Sequence, residues 1–126
     1  MKLNLSILDE QFTVHRFAPH TKIPEQVFAG DFFSISRTQD ELSIVCSSQL
    51  QLISDKAEAD WSCIKFLGVL DFSLTGVLAK ISGVLAEAKI SIFALSTFDT
   101  DYILVKTEKL EAAKDALEKA GYGFKD

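Results

Sequence analysis

Histidine and cysteine are scarce in this sequence, with two of each: His15, His20, Cys46 and Cys63. Neither C-x-x-C nor H-x-x-x-H spacing joins them, which removes the usual zinc-site patterns. Both cysteines fall inside apolar, strand-like runs. They are expected to be buried free thiols in a reducing cytosol rather than a disulfide. Positive charge is also short. The 13 Lys and Arg stand against 18 Asp and Glu, net −5, with no basic stripe. Nucleic acid and anionic membranes are poor partners for such a chain. No apolar run nears the ~20 residues that span a bilayer, and the first residues lack a signal-peptide h-region, so a cytoplasmic protein is expected. Asp71-Phe72-Ser73-Leu74-Thr75-Gly76 carries a single glycine, too few to cradle a phosphate. Nothing ties either histidine to a nucleophile, and His15, alternating with Val14 and Arg16, reads as a sheet-surface histidine. No catalytic residue, metal or cofactor is expected.

What the chain has is apolar mass. Hydrophobic residues make up 48% of its 126 residues, ten of them phenylalanine, which suits a packed core. Residues 61–70 read as a strand apolar on both faces. Ile64, Phe66 and Leu70 point one way; Cys63, Leu67 and Val69 point the other. After a loop offering Asp71 or Ser73 as N-cap, Leu74, Val77, Leu78, Ile81, Val84, Leu85 and Ala88 form a helical stripe. Gly83 inside that stripe suggests a close approach of helix to sheet. Residues 90–97 and 102–106 return to a period of two, with a turn at 98–100, and read as a hairpin. Thr107 caps a second helix with Glu108 and Glu111 in its first turn. Leu110, Ala113, Leu117 and Ala120 are its buried stripe, Gly121 its left-handed end, and residues 122–124 an edge strand. The order is β-α-β-β-α-β, an α+β ferredoxin-like unit.

The first half echoes the second. Residues 32–45, FFSISRTQDELSIV, lie on 92–105, IFALSTFDTDYILV, without a gap. Phe33 then matches Phe93, Ser36 Ser96, Glu41 Asp101 and Val45 Val105. Upstream, residues 3–8 and 12–17 read as two strands joined at Asp9-Glu10. Pro24 opens a short helical turn over 25–29, and 54–60 is the best linker. Two domains are expected, a degenerate 1–56 sharing or packing on the sheet and a complete 57–126.

Asp71, Gly76, Val77, Leu78, Ala79 and Ile81, followed by Ile90-Ser91-Ile92, resemble the D-x-P-G-v-l-a-x-i loop, helix and I-x-I strand of the ACT domain. That module serves regulation in amino-acid metabolism. Thr75 departs from the usual proline. The tandem arrangement is similar to the aspartokinase regulatory region and to arginine sensors of the CASTOR type. The resemblance implies a regulatory protein without catalysis that binds a small molecule, an amino acid. It also implies a homodimer with ligand sites between modules, and a regulated enzyme as a further partner. The ligand residues it implies are the loop Asp71, Phe72, Ser73, Leu74, Thr75 and Gly76 with the hairpin's Ser96, Thr97, Phe98, Asp99 and Asp101.

The residues alone support part of this. A loop ending at a helix N-terminus offers N–H groups to a carboxylate, and Gly76 allows close approach. Asp99 is read as turn chemistry. Asp101, at a strand start where Asp is disfavoured, is the first choice for a ligand's cationic group. The competing reading is an ACT-type module that has lost its ligand and only pairs with proteins, which Thr75 and the short first helix favour.

Overall fold

The computed structural model of the chain describes residues 3–67 and 76–125. The elements run β1 (Asn4–Phe17), a 3-10 turn (Glu25–Ala29), β2 (Ser34–Arg37), β3 (Leu42–Ser47), β4 (Lys56–Phe66) and α1 (Val77–Glu87). There follow β5 (Phe93–Ser96), β6 (Asp101–Lys106), a 3-10 turn (Thr107–Lys109), α2 (Leu110–Lys119) and β7 (Gly123–Phe124). They divide into two compact units, residues 10–61 and residues 1–9 with 62–126. The units are not contiguous halves, because β1 and β4 each run through both.

Asp9-Glu10 does not join two strands; it lies within one strand of 14 residues. The start of β1 pairs in parallel with β7, Asn4 with Gly123 and Leu5 with Phe124. Its end pairs antiparallel with β3, from Phe12 opposite Ser47 to Phe17 opposite Leu42. Ladder pairing on either side of the two acids outweighs their turn preference. Likewise most of the expected linker is strand: β4 starts at Lys56, and its first five residues are exposed before burial begins at Trp61. Asp60 marks that change with a left-handed φ of 67°, which Asp tolerates better than most residues. β4 ends at Phe66, so the expected strand residues 68–70 lie outside the described residues.

In the unit of residues 1–9 and 62–126, β1 has β7 and β4 as neighbours, and β6 and β5 follow. Ile64 and Phe66 of β4, Ile103 and Val105 of β6, and Ile90 meet Ile81 and Leu85 of α1 and Ala113 and Leu117 of α2 in one buried cluster. Of the expected stripes, Ile81, Leu85, Ala113 and Leu117 are buried and Val77, Leu78, Val84, Leu110 and Ala120 pack partly buried against them, whereas Ala88, past the end of α1, is exposed. Leu74, Asp71 and Ser73 lie outside the described residues. The residue at the helix cap is Gly76, left-handed at φ 84°, which has no side chain to cap α1 with. Thr107 does not cap α2 either; its hydroxyl lies 2.9 Å from Ser62 Oγ. A Cβ at Gly83 would meet nothing within 4 Å, so no close approach accounts for that glycine. The demanding glycine is Gly123, where a Cβ would fall 2.9 Å from Asn4 Oδ1.

In the unit of residues 10–61, β3 lies between β2 and β1. Phe17, Val27, Leu42, Ile44 and Cys46 form its core. The five-residue 3-10 turn behind Pro24 supplies Val27, so the shortened helix expected of this half is a single plug. His15 is buried at 4% exposure, not a sheet-surface residue. Its Nδ1 lies 2.9 Å from Ser54 Oγ, and burial holds its pKa below the ordinary 6.5. The unfolded chain therefore takes up a proton near pH 6.5 that folded His15 refuses. Its stabilisation is complete above that pH and is lost as the pH falls through it toward the lower folded value. Urea midpoints measured from pH 8 to pH 5 will show this decline, at most about 1.4 kcal/mol per pH unit for one site. His15→Phe will flatten it; an unchanged slope in the variant places the titration elsewhere.

Candidate functional site

The turn 97–100 joins β5 to β6, with Ser96 opposite Asp101 in register. Thr97 closes it. Its Oγ1 donates to the Thr100 carbonyl at 2.9 Å, accepts the Thr100 N–H at 3.3 Å, and its own N–H donates to the same carbonyl at 2.9 Å. The turn 38–41 between β2 and β3 is built in the same way. Thr38 N–H donates to the Glu41 carbonyl at 2.9 Å, and Thr38 Oγ1 accepts the N–H groups of Asp40 and Glu41 at 3.1 Å each. Threonine hydroxyls closing their own turns explain both conformations.

This identity corrects the gapless match. Arg37 opposes Leu42 as Ser96 opposes Asp101, so the two turns coincide at a shift of 59 residues rather than 60. Thr38-Gln39-Asp40-Glu41 corresponds to Thr97-Phe98-Asp99-Thr100. The counterpart of Asp99 is Asp40, and that of Asp101 is Leu42, not Glu41. A one-residue slip moves every side chain to the other sheet face, and apolar residues on both faces hid it. The shared signal legible in the sequence is the pattern T-x-D-x between strands.

Thr100 was not among the expected site residues, yet it ties the region together. It is buried at 5% exposure, and its Oγ1 donates to the Phe66 carbonyl at 2.8 Å. The turn is thereby held at the end of β4, where the chain enters residues 68–75. Of the expected ligand residues, Asp71, Phe72, Ser73, Leu74 and Thr75 lie outside the described residues. Gly76 stands at the head of α1, with nothing within 4 Å of where its Cβ would be. Ser96, Thr97, Phe98 and Asp99 are exposed, Phe98 at 80%. Asp101 is half-buried. By strand alternation it shares the sheet face of Ile103 and Val105, the face covered by the helices. Asp99 sits at the exposed tip, where Thr97 rather than its carboxylate makes the turn's bonds.

The cysteines are free and buried. Burial raises the Cys46 thiol's pKa and pushes that of Cys63 up to about 12, so both stay protonated and unreactive at neutral pH. Among the described residues no three His, Cys, Asp or Glu side chains converge on a metal position. No helix among them is long and apolar enough to cross a membrane.

The model of the ACT domain family matches residues 56–119, about half of the chain. A second model, described as an N-terminal domain, matches residues 10–50. A crystal structure of a protein from Agrobacterium tumefaciens is 36% identical with a TM-score of 0.90, over 99% of this chain and 93% of that one. The human cytosolic arginine sensor for mTORC1 subunit 1 is 29% identical over 101 residues, 74% of this chain and 31% of that protein. The chain thus spans about a third of the length of the curated relatives it matches. The ligand-free regulatory subunit of aspartate kinase from Thermus thermophilus is 15% identical with a TM-score of 0.68, over 96% and 99% of the two chains. That last likeness is one of fold.

Proposed function

The chain belongs to the ACT domain family, and from that premise we propose that it is a regulatory protein that binds an amino acid and performs no chemistry on it. The observation that carries this reading is the bond from Thr100 to the Phe66 carbonyl at 2.8 Å. It anchors the β5–β6 turn at the end of β4. Asp101 then supplies a carboxylate for a ligand ammonium or a basic side chain. The first turn of α1, which begins behind Gly76, offers its N–H groups to the ligand carboxylate. Relatives named as an arginine sensor and as a regulatory subunit of aspartate kinase support the amino-acid class. In this reading the chain is a tandem of two ferredoxin-like modules, the first degenerate, as the recurring T-x-D-x turn suggests. It works as a homodimer in the cytosol, where its thiols stay reduced, and controls a partner enzyme.

A second reading rests on Phe98. A phenylalanine 80% exposed at the tip of this turn suits a protein contact better than solvent, as in a module that pairs without a ligand. A thermal-shift screen of the twenty amino acids separates the two. A ligand present at a hundred times its dissociation constant will stabilise the chain by about 2.7 kcal/mol. Twenty null results, together with self-association lost in Phe98→Ser, would favour the pairing module.

A further inference from the structure

Ile7 and Asp9 of β1, Lys114 of α2, and Phe124 and Lys125 line a cleft of about 350 Å3, within the size range of small-ligand sites. Among the described residues, two ammonium groups and one carboxylate share it with two apolar side chains, in a chain whose net charge is −5. Among the described residues no ion pair neutralises Asp9, Lys114 or Lys125. The Lys114 ammonium lies 5.8 Å from the Phe124 ring centroid, a cation–π distance. The wall formed by β7 is fastened to the backbone of β1. Lys125 N–H donates to the Leu5 carbonyl at 2.7 Å, and Gly123 leaves room for Asn4 Oδ1, which a Cβ would approach to 2.9 Å.

We propose that this cleft is a second ligand site and takes an acidic amino acid. Its two carboxylates meet Lys114 and Lys125, its ammonium meets Asp9, and its methylene body lies against Ile7 and Phe124. The charge set decides the class. A monocarboxylate zwitterion leaves one lysine unmatched, while a dicarboxylate or inorganic phosphate sets negative charge against Asp9 with nothing to offset it. The cleft shares no residue with the β5–β6 turn, so the two sites stand or fall separately.

Isothermal titration calorimetry of the full chain at low salt tests this with L-glutamate, L-aspartate, glutarate and inorganic phosphate. At least one of the two amino acids is expected to bind saturably, with glutarate and phosphate about tenfold weaker or worse. Lys114→Met, which keeps the stem over Phe124, and Asp9→Asn should each weaken that binding about tenfold. Lys125→Met serves as the second cation variant should Lys114→Met disturb folding, and Asp101→Asn should leave binding within about twofold. The proposal is overturned by absence of saturable heat with both amino acids, or by undiminished binding in the lysine and Asp9 variants. Glutarate or phosphate binding as tightly as glutamate overturns the amino-acid assignment, and loss of binding in Asp101→Asn instead moves the ligand to the turn.

Discussion

Phe66→Ala will lower the unfolding free energy by about 3–5 kcal/mol, the largest stability loss expected of any single truncation near the candidate site. Phe66 is fully buried and is among the bulkiest such side chains. It belongs to a buried cluster drawn from both helices, β4 and β6. That cluster is framed by strand and helix backbones that cannot close on a void, so the lost transfer energy and the cavity both count. Phe66→Leu keeps most of the volume and should cost less than about 1.5 kcal/mol. Urea unfolding followed by circular dichroism measures both. A Phe66→Ala loss below about 1 kcal/mol would show that the cluster collapses around the gap. Phe66 also presents its carbonyl to Thr100, so whatever loosens its backbone loosens the turn.

On the ligand side the largest effect belongs to Asp101. Once the amino-acid screen has found a ligand, Asp101→Asn should weaken it by about 10- to 100-fold, the loss of one charge-assisted hydrogen bond worth about 1.5–3 kcal/mol. Asp99→Asn should change affinity by less than about twofold. The contrast follows from position. Asp101 is half-buried in register with Ser96 at the start of β6, whereas Asp99 is an exposed tip residue. Titration of the two variants against the wild type settles the point; equal losses in both, or none in either, would remove Asp101 from the site.

The sequence determined much of this protein by itself. Helical spacing announced the buried faces of α1 and α2 because a stripe at i, i+3, i+4 has only one way to face a core. Gly121, left-handed at φ 101°, was legible as a helix end because that conformation favours glycine. The loop and helix residues around Gly76 carried the family. Other features were decided only by the tertiary structure. The continuity of β1 through Asp9-Glu10 depends on which strands lie beside it, a long-range matter to which local turn propensity is blind. The burial of His15 depends on Ser54 meeting its ring from 39 residues away. The register of the two hairpins, and with it the partner of Asp101 in the first copy, came from hydrogen bonds made by Thr38 and Thr97. Strands that are apolar on both faces leave a one-residue slip invisible in the pattern, and only the closed turn shows which way each side chain points.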